Sequence, residues 1–169
     1  MKTIRTIVIA TLLSAVMICG AEKANAGEKT IGLRAGYNTR TEAPIAGLFF
    51  QYQLSSYFRL APNVEYYIRH NNTDGLSINL NTHFPISLGA GSHAAFYPLA
   101  GLNFTAWNLH GIEEDSDDVT TRISRVGLNL GGGFEYYATS SLKLSVEAKA
   151  TLLKNYTSGT FSLSIGYVF

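Results

Sequence analysis

Five acidic residues crowd one short stretch of this chain: Glu113, Glu114, Asp115, Asp117 and Asp118. Carboxylate oxygens at that density suit a divalent cation, but the D-x-[DN]-x-[DN]-G order of a calcium loop is missing. The expectation is a solvated acidic loop and no metal site. The histidines His70, His83, His93 and His110 are the candidate bases for a hydroxyl nucleophile. None has Ser or Thr two residues on, as a same-face pair on a strand would require. Gly131-Gly132-Gly133 precedes no helix pattern and so offers no phosphate cradle. A third group carries both signs: Arg34, Arg59, Glu65, Arg69, Glu135, Lys143, Glu147 and Lys149. Each occupies the polar phase of an alternating segment. Their chemistry is pairing, with an ion or proton path as the less ordinary alternative. No cofactor motif accompanies them.

Positioning those charges falls to segments of period two, the signature of strands. They cover residues 30–38, 46–54, 57–69, 75–84, 95–109, 123–137, 142–152 and 160–169. In the third, Phe58, Leu60, Val64, Tyr66 and Ile68 oppose Arg59, Asn63, Glu65, Tyr67 and Arg69. The seventh sets Leu142, Leu144, Val146 and Ala148 against Lys143, Ser145, Glu147 and Lys149. Residues 55–56 and 138–141 read as tight turns. Residues 39–45, 70–74, 110–122 and 154–159 read as longer polar loops, alternating with the tight turns along the chain. The connection 85–94 departs from this alternation, and its Pro85, Gly89 and Gly91 indicate loop.

Eight alternating strands fit a soluble barrel with apolar residues inside or a membrane barrel with apolar residues outside. Residue size separates them. The apolar faces carry more Leu, Ile, Phe and Tyr than the interior of one small barrel can hold. The opposite faces collect Gly32, Gly36, Gly101, Gly127, Gly131, Gly133 and Gly166. Glycine costs about 0.5–1 kcal/mol within an element, so a water-facing surface has no reason to prefer it. A crowded lumen does, because small residues leave room for Arg59, Tyr67, Tyr97 and Trp107. Aromatic residues on the apolar faces gather mostly near strand ends, where membrane interfaces lie. The fold class expected is all-β, an eight-stranded antiparallel up-and-down transmembrane barrel. A soluble exported barrel binding a small apolar ligand is the third-ranked alternative.

Residues 1–26 read as a cleavable signal peptide: Lys2 and Arg5, an apolar run, then Ala24-Asn25-Ala26. Ile18 stands where a lipobox before Cys19 would need a small residue. Residues 27–169 then form one barrel domain. Cleavage would remove three basic residues and one acidic, moving the formal charge from +1 to −1. That balance does not suit a nucleic-acid binder. Cys19, the only cysteine, would leave with the signal, taking thiol chemistry and disulfides with it. No later stretch approaches the roughly 18 apolar residues of a spanning helix.

The closing segment, Phe161-Ser162-Leu163-Ser164-Ile165-Gly166-Tyr167-Val168-Phe169, alternates to a terminal aromatic. With the strands before it, the whole chain after residue 26 resembles the small eight-stranded outer-membrane proteins of the OmpX and OmpA-barrel type. That resemblance implies a place in the Gram-negative outer membrane, with both termini periplasmic and the polar loops outside. It implies that Tyr167 and Phe169 belong to a signal read by the outer-membrane assembly machinery. Other partners implied are outer-membrane lipid, lipopolysaccharide and an unidentified extracellular molecule, with the chain a monomer. Some such barrels acylate or deacylate lipopolysaccharide, but the histidine spacing here points to no enzyme. The function expected is a structural or surface-interaction role, in adhesion or envelope integrity, with a packed lumen that is no general porin. A narrow channel or a small-ligand or lipid-binding barrel is the alternative.

Overall fold

A computed structural model of the chain describes residues 26–70, 72–89, 91–110, 120–153 and 156–169. Residues 1–25 of the expected signal segment and the acidic residues Glu113–Asp118 lie outside the described residues. Among those described, the strands are β1 (Lys29–Asn38), β2 (Ala43–Ser55), β3 (Phe58–His70), β4 (Thr73–His83), β5 (Ile86–Ser87), β6 (Ala94–His110), β7 (Thr120–Thr139), β8 (Leu142–Leu153) and β9 (Tyr156–Val168).

Each long strand pairs antiparallel with its neighbours, and two pairings join the ends into a ring. β4 pairs with β6, from Thr73 opposite Leu109 to His83 opposite Leu99. β1 pairs with β9, from Thr30 opposite Val168 to Asn38 opposite Thr160. The result is a closed eight-stranded barrel with the short β5 as an appendix. Closure leaves no open sheet edge in the ring, the condition for backbone polar groups in hydrocarbon. Lys29 and Phe169 complete the seam, each backbone N–H donating to the other's carbonyl at 3.1 and 2.9 Å.

The alternation sorts side chains inside-out relative to a soluble core. Ile31, Leu33, Leu48, Val64, Ile78, Leu102, Leu128, Val146, Leu163 and Ile165 all point outward and are exposed. Arg34, Arg59, Glu65, Asn79, Asn129, Glu135 and Glu147 are buried. A soluble barrel would pay a large hydration penalty for that outer face, whereas lipid removes it. Aromatic side chains crowd the end that bears the termini: Phe58 and Phe84 meet edge-to-face at 5.8 Å, and Tyr167 stacks on Phe169 at 6.2 Å.

Strands run further than the polar composition of their ends suggests. The connection expected over 39–45 contracts to 39–42, closed by Asn38, whose Oδ1 accepts from the backbone N–H of Arg40 and Thr41 at 3.0 and 3.1 Å. The polar run Thr157-Ser158-Gly159 is strand, because β8 supplies partners up to Leu153 opposite Tyr156. β3 and β4 are separated by two residues only, and Asn72 takes the left-handed backbone conformation (φ 56°) that such a tight turn requires.

Residues 85–94, expected as loop throughout, contain β5. Ile86 faces Phe96 and Ser87 faces Ala95, in the same register that places His83 opposite Leu99. β4 and β5 are thus one strand interrupted at Pro85, which has no N–H to give to the ladder. The hairpin carries on beyond the interruption, with the Leu88 N–H on the Ala94 carbonyl at 3.1 Å.

The candidate functional site: a charged and amide-lined lumen

At the termini-bearing end, β3 points Arg59 and β7 points Glu135 into the lumen. The guanidinium holds the carboxylate with two bonds of 2.6 Å each. Its Nε donates to Gln53 Oε1 at 2.8 Å, and its Nη1 reaches Gln51 Oε1 at 3.3 Å. Lys143 Nζ donates to the same Gln51 oxygen at 2.6 Å and stands 3.9 Å from both Glu135 and Glu28. Tyr137 donates its hydroxyl to Glu28 at 2.8 Å. Every charge in this layer faces an opposite one, as burial demands.

One layer further in, Arg34 of β1 bridges two carboxylates, Glu65 on β3 at 3.0 Å and Glu147 on β8 at 3.1 Å. Lys149 of β8 donates to both Glu65 oxygens, at 2.8 and 2.9 Å. β3 and β8 lie four strands apart in either direction round the ring, so that contact crosses the full width of the lumen. Tyr97 donates its hydroxyl to Glu147 at 3.2 Å. His83 lies flat against the Tyr97 ring, 4.4 Å between centroids, with Nε2 3.8 Å from Glu147. This lumenal imidazole therefore faces a carboxylate and a phenol ring instead of a nucleophilic hydroxyl.

Amides fill the layer above. Asn79 donates to Asn63 at 2.8 Å, while its own oxygen accepts from Asn103 and Asn129, each at 2.8 Å. Asn129 also donates to Asn81 at 2.8 Å and accepts from Thr151 at 2.8 Å. Ser77 and Thr105 extend the network through Asn103. Nearest the loops the lumen becomes aromatic. Trp107 packs between Tyr67 at 6.5 Å and Tyr156 at 5.2 Å, and the Arg40 and Arg125 guanidiniums lie over the Tyr156 ring at 4.9 and 6.0 Å.

Glycine supplies the room for this packing. A Cβ on Gly133 would collide with the Tyr97 ring and hydroxyl, and one on Gly75 would come within 2.9 Å of the Trp107 ring.

Of the eight charges singled out in the sequence, Arg34, Arg59, Glu65, Glu135, Lys143, Glu147 and Lys149 are buried in the lumen. Arg69 is not among them: it is exposed on the rim. The register of β3 on β4 shifts between Tyr67 and His70, so inward alternation ends at Tyr67 and the parity that assigns Arg69 to the lumen no longer applies. The carboxamides Gln51, Gln53, Asn63, Asn79, Asn81, Asn103 and Asn129 were missing from the sequence-derived site. Their signal was present, since all stand in the same phase as the lumenal charges. Tyr167 and Phe169 are 59 % exposed on the outer face, next to the seam. Among the described residues, no group of three or more His, Cys, Asp or Glu side chains is arranged to hold a metal ion.

The same architecture occurs in solved structures of low sequence identity. The N-terminal β-barrel domain of Pseudomonas aeruginosa OprF superimposes with a TM-score of 0.68 at 21 % identity, over 85 % of this chain and 98 % of that one. Neisserial surface protein A gives 0.65 at 15 % identity, over 86 % and 99 %. Ail, the attachment invasion locus protein of Yersinia pestis, gives 0.62 at 13 % identity, over 86 % and 100 %. At these identities the likeness speaks for the fold. Among the curated proteins no relative matches. The model of the outer membrane protein beta-barrel domain matches residues 10–169, and the chain, with its closed ring and outward apolar face, belongs to that family.

Proposed function

We propose that this protein is a small integral barrel of the outer membrane that acts as a structural and surface-interaction element, through its loop-bearing rim, and is no general porin. One observation carries the reading: ion pairs span the lumen, Lys149 to Glu65 between opposite walls and Arg59 to Glu135 beside them. A barrel of eight strands has room for side chains and little more, and here charged, amide and aromatic side chains occupy it in successive layers.

In this reading residues 1–26 are cleaved on export, the termini are periplasmic, and Tyr167 and Phe169 serve recognition by the assembly machinery. The surrounding partners are phospholipid and lipopolysaccharide, and the barrel is a monomer. With the other connections at that end only two to four residues long, interaction falls to residues 111–119 and to rim side chains such as Arg40, Arg69 and Arg122. Two of the similar structures bear names consistent with a surface role, an attachment invasion locus protein and a surface protein.

The test is a pair of variants in the same strain. Deleting residues 111–119 should alter adhesion or serum sensitivity while the barrel still assembles; Glu147→Gln should leave both unchanged. An unaltered phenotype after loop deletion, with loss of small-solute uptake after Glu147→Gln, would transfer the function to the lumen.

A narrow conduit is the second reading, and one observation favours it. Both ring nitrogens of His83, Arg34 Nε and Ser164 Oγ are buried in the lumen without a hydrogen-bond partner. Such groups are where internal water sits, and a file of water would carry protons before it carried solutes.

A further inference from the structure

The outer face holds a feature that neither a structural barrel nor a conduit requires. Gly132 of β7 and Ala148 of β8 are direct cross-strand partners. Ala148 in turn faces Phe161 of β9, and Phe161 faces Tyr37 of β1. Two adjacent small residues thus leave a gap among larger ones, beside the outward Ala35 of β1, which is itself paired with Ala46. The ring of Phe96 lies close over Gly132, where an added Cβ would come within 3.3 Å of it. The outcome is a recess of about 630 Å³ on the membrane-facing side, floored by Gly132 and Ala148 and framed by Phe96, Phe134, Phe161 and Tyr37.

We propose that this recess holds one acyl chain of a phospholipid, retained more firmly than the lipid around the rest of the barrel. Three observations choose the occupant. The recess is continuous with the outward apolar band, which in an outer-membrane barrel is already the lipid interface. Its size falls within the range of about 300–1,000 Å³ typical of small-molecule sites. A second protein chain would instead need about 800 Å² of contact on each side, far more than a hollow bounded by a few aromatic rings offers. Its floor is made by glycine and alanine, so the ligand needs no polar group along its length. A flexible hydrocarbon chain gains dispersion contacts on its sides and floor there, where a flat wall would offer one surface only.

Native mass spectrometry of the protein extracted in mild detergent tests this directly, with dipalmitoyl phosphatidylethanolamine as the added probe. The parent should carry one phospholipid per barrel. Ala148→Phe, which fills the recess, should reduce that adduct several-fold, while Leu80→Phe on another part of the outer face should keep it. Heat-modifiable gel migration shows whether each variant is folded. If Ala148→Phe fails to fold, Gly132→Ala, which crowds the floor without filling it, should give an intermediate loss. Four results would overturn the proposal: no adduct on the parent, equal adducts on parent and Ala148→Phe, lipopolysaccharide in place of phospholipid, or a dimer cross-linked through Ala148→Cys.

Discussion

Lys149 on β8 reaches across the whole barrel to Glu65 on β3 and bonds both carboxylate oxygens, at 2.8 and 2.9 Å. The same carboxylate receives Arg34 at 3.0 Å and Asn79 at 3.3 Å, so strands from four parts of the ring meet on one buried residue. A barrel that turns its large apolar side chains outward cannot rely on a hydrocarbon core. Here the inward glue is ionic and amide, and its strength depends on every partner being present.

That dependence is sharpest at Arg59 and Glu135, whose two bonds measure 2.6 Å. Replacing Glu135 with Gln leaves a buried guanidinium without its counter-charge, which should cost about 3–5 kcal/mol. Urea unfolding in lipid vesicles reads the change. Replacing Arg59 and Glu135 together by Met and Leu should recover much of the loss, since the pair is expensive to break and much less so to remove. Equal midpoints for Glu135→Gln and the parent would show the pair to be unimportant to the lumen.

Gly133 is where the Tyr97 ring lies, and Tyr97 in turn supports His83 and Glu147. Gly133→Ala should therefore destabilise by about 1–3 kcal/mol, the usual cost of overpacking. Shortening the ring in Gly133→Ala with Tyr97→Leu should restore part of it. A control at Gly89, with nothing within 4 Å of an added Cβ but a backbone φ of +151°, separates crowding from strain.

Leu163, 66 % exposed near the middle of β9, tests the outer face. Leu163→Arg places a charge in hydrocarbon and should cost about 2–4 kcal/mol, against about 0–1 kcal/mol for Thr157→Arg on the same strand close to the loops. Equal costs at the two positions would be the behaviour of a water-facing surface.

Phe169 closes the seam through backbone atoms only, donating to and accepting from Lys29. Phe169→Ala leaves those bonds in place. Its unfolding midpoint after refolding in vitro should shift little, while the amount assembled in the outer membrane should fall. Parallel losses in both measurements would reduce the terminal aromatic to a packing residue.

Much of the architecture was legible in alternation alone, because period two assigns each side chain to one wall and the bulky residues name the outer one. Strand ends were less so. Thr157, Ser158 and Gly159 look like loop by composition, and only the presence of β8 alongside makes them strand. Pro85 stops the ladder without moving its register, which local sequence cannot disclose. For the lumen, alternation identified the inward charges but not their partners. Lys149 and Glu65 are 84 residues apart and meet through closure of the ring. Arg69 misled the parity count because a register shift intervenes. The asparagine layer went unread because each amide looked unremarkable on its own strand; its meaning lies in four strands supplying them at one level.

Single-channel recording of the purified barrel in planar bilayers tests the packed lumen most directly. With Lys149–Glu65 and Arg59–Glu135 across the lumen and Trp107 packed between Tyr67 and Tyr156 towards the loops, the parent should show no wide, persistent open state. Replacing Glu65 and Trp107 by Ala should raise conductance above that baseline. A large, long-lived conductance from the unaltered protein would contradict the account.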